Sequence, residues 1–415
     1  MSIYGAMVSS ITGLQAQSQA LGMISDNLSN VNTVGYKGSH ARFSTLVTEI
    51  TTSRYAPGGV RSSPFTSVDR QGVIQSSSSV TDLAVSGNGM FVVRETADPA
   101  AGGETLYTRA GSFRRDAEGN LVNTAGLFLQ GWPIDAVTGQ PIGNNISQLE
   151  TISVGNLSTT ALPSTQIDVS ANLNANTAVG GTYSIDTAMV DTLGANHVVR
   201  LTYTKTAANA WTVAASAPNA DMTVSVGAGA ITFNPNNGTL LTPASGQLTI
   251  TTSAYTNGAG GPASLVLNMA ADTSSSGLTQ YAGYNEIKSV NSDGIATGSL
   301  SGIAVSDAGV VIALFDNGQT RDIYQIALAD HPNVNGLEAR DGNAYATSGL
   351  SGDPVVNIPL TGGTGNIVSS ALEASTVDIA EEFTNMIITQ RAYSANTKVI
   401  TTADEMLDET IRIKR

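Results

Sequence analysis

The chain has 415 residues, no cysteine, and 33 acidic against 19 basic side chains, for a formal charge of −14. That balance excludes the basic footprint that nucleic-acid binding needs and disfavours docking on anionic lipid. The missing thiols exclude disulfides and thiolate metal sites, and with no run of about 18 apolar residues no membrane span is predicted.

A length of this order allows about two to four domains. The first residues, MSIYGAM, have neither a basic n-region nor an apolar h-region, so no cleaved secretory signal is expected. Across residues 1–36, Met7, Leu14, Leu21 and Leu28 recur every seven positions, which predicts a helix with one narrow buried seam. The same stretch holds one charged side chain, Asp26, so its outer face lacks the charge of a water-facing helix. Gly35 is placed to end the helix.

Residues 37–79 read as a Ser/Thr-rich connector of short extended pieces around Pro57, Gly58 and Gly59. Residues 80–145 read as strands, with a turn at 116–120 and a hairpin turn at 86–89. Only seven charged residues fall between 151 and 280, yet apolar alternation persists at 167–173, 199–204 and 222–226. That pattern predicts an inserted β-sandwich or barrel at 146–280. Residues 281–366 return to the earlier style, with Asn317-Gly318 suited to a two-residue hairpin turn. A flexible Gly-rich linker at 361–366 follows.

In the last segment, 367–415, Leu372, Ile379, Met386, Tyr393, Ile400 and Leu407 form a second seven-residue seam. Ser370 and Glu373 have the capping-box spacing that would open this helix. The predicted fold is mainly β. Residues 80–145 plus 281–366 form a discontinuous inner β domain carrying the inserted outer domain. Long N- and C-terminal α-helices, in 1–36 plus 367–415, bracket it as a coiled-coil-like assembly core. A chain so bracketed suggests a subunit that polymerises.

No catalytic, cofactor-binding or metal residues are assigned. The run 362–365 precedes a helix but lacks the Lys-Ser/Thr of a phosphate loop. His40, His197 and His331 lack metal-ligand spacing, and Asp116 and Glu118 are too few for a calcium loop.

Residues 27–37 (NLSNVNTVGYK) resemble the signature of the rod and hook group of bacterial flagellar axial proteins. Residues 370–380 (SALEASTVDIA), 382–393 (EFTNMIITQRAY) and 394–406 (SANTKVITTADEM) resemble the last segment of that group. Residues 81–91 (TDLAVSGNGMF) and 107–113 (YTRAGSF) are also similar. The signature positions are Asn27, Asn30, Gly35, Tyr36 and Lys37, then Phe383, Gln390, Arg391, Ala392 and Tyr393. Within the group, the inserted domain and the run 191–197 (DTLGANH) look like the hook branch.

The resemblance implies a structural, non-enzymatic subunit without cofactors. It would form an extracellular homopolymeric tube that serves as a universal joint. Implied neighbours are a distal rod protein, a hook cap, hook–filament junction proteins and the flagellar export apparatus. A distal rod or other axial protein, or a secreted β-rich surface adhesin, are the alternatives. Both terminal segments are expected to gain order on assembly, as segments do when a partner supplies burial.

Overall fold

The computed structural model describes residues 3–46, 49–51, 54–56, 58–98, 102–136, 138–155, 157, 159, 161–260, 263–271 and 277–413. The chain divides into two compact units. One comprises Met1–Asn156, Gly302–Leu314 and Thr320–Arg415; the other comprises Leu157–Ser301 and Phe315–Gln319.

In the first unit, helix α1 (Ile3–Ser29) opens the chain and helix α2 (Ile379–Ile413) closes it. Between them the predicted connector is an antiparallel hairpin of Ser39–Thr45 with Val60–Thr66, followed by the strand Ile74–Ser76. Positions 47–48, 52–53 and 57 of that stretch lie outside the described residues. The main sheet is built around Met90–Arg94, an apolar run that pairs with Thr105–Thr108, Phe128–Pro133 and Leu328–Asp330. Its side chains are almost wholly buried because the strand is covered on both faces. Phe91 meets Phe113 edge to face at 5.6 Å, and the buried Trp132 donates its indole N–H to the Asn145 carbonyl at 2.9 Å.

Several local readings are corrected here. The 86–89 turn does not make a hairpin: Leu83–Ser86 pairs with Asn366–Ser369 instead. The expected linker at 361–366 is tightly held. Gly365 N–H donates to the Asn88 carbonyl at 2.8 Å, and a Cβ on Gly365 would stand 2.0 Å from the Ser86 oxygen. Ser370 and Glu373 do not cap a helix, since Ala371–Glu373 is a strand paired with Ile74–Ser76. Leu372 is therefore off the helix, and the second seam starts at Ile379. The hairpin at Asn317 turns through three residues: Phe315 N–H meets the Gln319 carbonyl, and only Gly318 of the Asn-Gly pair takes a positive φ, +79°. This is the longer loop in which glycine alone needs the left-handed region.

The second unit is a β-sandwich. Its six-stranded sheet contains Thr223–Val226, Gln247–Ser253, Ala263–Asn268, Gln166–Asn172, Leu278–Thr279 and Glu286–Ser292. Its five-stranded sheet runs Thr182–Val190, Asn196–Ala207, Ala210–Ser216, Ala230–Phe233 and Leu240–Thr242. Ile167, Leu265 and Leu267 from one sheet and Ile185, Leu201 and Trp211 from the other share one core. The boundary differs from the sequence expectation of 146–280. Glu286–Ser292 pairs with Gln166–Asn172, so it lies in this unit, whereas Glu150–Thr151 pairs with Phe128–Pro133 in the other.

Candidate assembly site at the root of the helix pair

α2 starts at Asp378, whose Oδ1 accepts the Ala380 and Glu381 N–H groups at 2.7 and 3.2 Å. Such a cap contributes about 1 kcal/mol. The two helices run antiparallel. Asn27 bonds Glu382 at one end of the contact, and at Gly13 a Cβ would lie 2.9 Å from the Asn396 side chain.

The buried face of α1 is Ser10, Gly13, Ala16, Ala20, Ile24 and Asn27. Across from it α2 buries Glu382, Thr389 and Ala403, and partly buries Met386, Asn396, Ile400 and Leu407. Small residues let the two backbones approach. The predicted seam of α1, at Met7, Leu14, Leu21 and Leu28, therefore lies beside the contact line and is half-buried. On α2, Ile379 and Tyr393 turn outward, 47 % and 40 % exposed. Phe383, Ile387, Ile388, Val399, Met406 and Ile411 are also exposed, as are Tyr4, Val8 and Ile11 of α1. At about 100° per residue, Ile379, Phe383 and Ile387 form one flank of α2 and Ile388, Val399 and Met406 the opposite flank. Gln390 and Arg391 are exposed on the same helix, and Ala392 is half-buried.

Where the helices meet the β unit, a buried polar cluster ties them down. Glu373 is fully buried. Its Oε1 accepts Lys37 Nζ at 2.5 Å and Gly72 N–H at 2.7 Å, and its Oε2 accepts Arg109 Nη1 at 3.3 Å. Lys37 also donates to the Arg70 carbonyl at 2.6 Å, and Arg109 to the Val85 and Gly87 carbonyls. Burial lowers the pKa of both cations, and the Glu373 charge and hydrogen bonds offset part of that.

Asn27 completes the cluster. Its Nδ2 donates to the Ser39 carbonyl and Glu382 Oε1, at 2.8 and 2.9 Å, while its Oδ1 accepts Ser39 N–H and the Tyr36 hydroxyl. Burial, then the Asp26 and Glu382 charges, raises the Tyr36 pKa. Thr376 N–H donates to the Tyr36 carbonyl, and Gly35 N–H to the Glu373 carbonyl. Gly35 itself has φ +69°, and a Cβ there would stand 2.7 Å from the Ala110 nitrogen, so glycine is required twice over. Asn30 accepts the Thr33 hydroxyl just before it. The signature thus divides: Asn27, Asn30, Gly35, Tyr36 and Lys37 gather at the helix root, whereas Phe383, Gln390, Arg391 and Tyr393 line the exposed side of α2. Arg109 and Glu373 complete the root; Arg109 was not singled out in the sequence, and Glu373 was read there as a helix cap. The sequence signal for both was their place in two family-like segments, 107–113 and 370–380.

The sandwich unit holds a second cluster that spacing alone missed. His197 Nε2 meets Asp191 Oδ2 and its Nδ1 meets Asp221 Oδ2, both at 2.8 Å. Asn257 donates to the same Asp191 oxygen, and the Leu193 and Ala195 N–H groups donate to Asp191 Oδ1. Burial pulls the His197 pKa down, but hydrogen bonds to Asp191 and Asp221, with their charges, outweigh it and leave it raised. Burial pushes Asp191 up, yet hydrogen bonds from Asn257, His197 and the backbone bring it to about 2.

A raised imidazole contributes stability that is full below about pH 6.5 and is lost as pH rises through the folded value. A depressed carboxylate contributes stability that is full above about pH 3.9 and is lost as pH falls through its folded value. The cluster therefore supports the sandwich most between about pH 4 and 6.5. Urea unfolding followed by Trp211 fluorescence should show a midpoint that falls from pH 6 to pH 9, and in His197→Gln that slope should flatten. An equal slope in both proteins would remove His197 as its source.

Among the described residues no group of three or more His, Asp or Glu side chains is arranged to hold a metal, and no helix is long and apolar enough to cross a membrane.

Four family profiles match in chain order. They are described as Flagella basal body rod protein over residues 7–37, Flagellar hook protein FlgE/F/G D1 domain over 84–175, Flagellar basal body protein FlaE D2 domain over 156–295, and Flagellar basal body rod FlgEFG protein C-terminal over 368–413. The chain is 36 % identical to the Flagellar hook protein FlgE of Brucella suis, with all of both chains covered. It is 31 % identical to that of Caulobacter vibrioides, again with full coverage of both. It is 29 % identical to that of Escherichia coli, covering 99 % of this chain and 100 % of the relative. At 36 % identity over the full length of both chains, this chain belongs to the flagellar hook protein family.

Proposed function

We propose that this chain is the structural subunit of the bacterial flagellar hook, and that it associates with its own copies into a curved, bendable tube outside the cell. The observation that carries this reading is the exposure of large apolar side chains on both flanks of α2, beyond what α1 covers. Such a surface marks an interaction site, and a helix anchored at its root by buried ion pairs presents it in a fixed direction. Copies packed side by side would enclose both flanks. The sandwich unit, with its sparsely charged strands, would supply weak polar contacts that re-form as the tube bends.

The subunit would leave the cell through the flagellar export apparatus. A distal rod protein would adjoin one end of the tube, and a cap and then hook–filament junction proteins the other. Its role is mechanical rather than catalytic.

Two measurements test this. Electron microscopy of the purified chain in polymerising salt should show tubes. Far-ultraviolet circular dichroism should show more helix in polymer than in dilute monomer, because the flanks of α2 that α1 leaves exposed gain packing only among copies. Absence of tubes under any condition would overturn the reading, and equal helix content would overturn order gained on assembly.

A further inference from the structure

A groove of about 300 Å³ lies between α1, α2 and the strand Ser39–Thr45. Its walls include Met23, Ile24, Phe43 and Ile388, and its polar lining includes His40 and Glu382. Glu382 is only 3 % exposed. One carboxylate oxygen accepts Asn27, while the other, Oε2, has no hydrogen-bond partner among the described residues. A buried carboxylate with a free lone-pair side is costly. A cation would satisfy it, and the apolar walls suit the aliphatic stem that carries a charged head.

We propose that this groove receives the Arg391 side chain of a second copy. This inference rests on the self-assembly reading above and names one of its contacts. Arg391 is exposed, and among the described residues no ion pair involves it. Counted round the helix, it sits about 150° from the Glu382, Thr389 and Ala403 line that faces α1, and nine residues beyond Glu382, so it points away from Glu382 of its own chain. Ile387, also exposed, stands one turn before it. It would bring apolar surface to Met23, Ile24 and Phe43 as the guanidinium reaches Glu382. Arginine suits the site better than lysine. Its planar fork can satisfy Glu382 Oε2 and leaves N–H groups for the amides of Gln17 and Asn385, two residues that line the same groove.

The test is a double-mutant cycle read as the critical concentration for polymerisation of the full chain. Arg391→Gln and Glu382→Gln should each raise that concentration by roughly tenfold or more, and the double variant should be no worse than the poorer single. Arg391→Lys should recover part of the loss. Glu382→Gln keeps an acceptor for Asn27; should it unfold the monomer, Arg391→Gln decides alone, because that residue is on the surface. Wild-type-like assembly by Arg391→Gln overturns the pairing. So does a double variant whose defect is the product of the two singles, including the case in which Glu382 pairs with His40 of its own chain. If the unaltered chain forms no tubes, the self-assembly reading falls and takes this contact with it; tubes from the unaltered chain with a failed cycle remove only the contact.

Discussion

Replacing Glu373 with glutamine should destabilise the first unit by about 3–5 kcal/mol, because it leaves Lys37 and Arg109 buried with no counter-charge. For a unit of this size that lowers the thermal midpoint by roughly 10 °C. The chain forms two compact units, so calorimetry should resolve two transitions, with only the one from the helix-bearing unit moving. Arg340→Gln is the control. It breaks an exposed pair with Glu104, and pairs of that kind contribute little. A Glu373→Gln midpoint as high as the control's would show that the cluster does not hold the root.

The second large effect concerns the flanks of α2. Phe383→Asp with Ile387→Asp should leave the monomer's unfolding curve unchanged, since both side chains are about half exposed, at 48 % and 52 %. In a tube the two carboxylates would be enclosed without partners at a cost of about 3 kcal/mol, which shifts the critical concentration by about 100-fold. Leu21→Asp and Met386→Asp should behave differently. Leu21 lies beside the contact line between α1 and α2 and Met386 on it, both half-buried, so they should lower monomer helicity as well as block assembly. Val179→Asp, on an exposed turn of the sandwich unit, should still assemble. Tubes from the Phe383/Ile387 variant at wild-type concentrations would remove the flank from the interface. The contrast also separates two roles that a heptad pattern merges, namely holding the pair together and holding copies together.

That merging shows where sequence reading reaches its limit. Alternation found the strands at 166–172 and 196–207 because each has one face in the sandwich core, and a two-residue period survives in the letters. The phase of the helix contact was not legible. Hydrophobicity points to Leu14 and Leu21, but the backbones meet over Gly13, Ala16 and Ala20, where size rather than apolarity decides. Glu373 was read as a cap because Ser and Glu three apart fit a local rule. Its real partners, Lys37 and Arg109, are 336 and 264 positions away, beyond any local pattern. Asp378, the residue that does cap α2, carries an acidic first turn behind it and was legible by the same rule. The His197 cluster was hidden likewise, since Asp221 and Asn257 arrive from separate loops.

The span of these bonds also sets an order of events. Asn27 reaches Glu382 across 355 positions, whereas Val190 pairs with Asn196 across a short turn in the sandwich. Closing the longer loop costs on the order of 3–4 kcal/mol more in chain entropy, and contacts of that separation form late. On a polypeptide emerging N-terminus first, α1 therefore waits for nearly the whole chain before its cognate helix arrives. The sandwich can mature in that interval, which makes sequence distance a clock that postpones the adhesive part of the molecule until the rest is built.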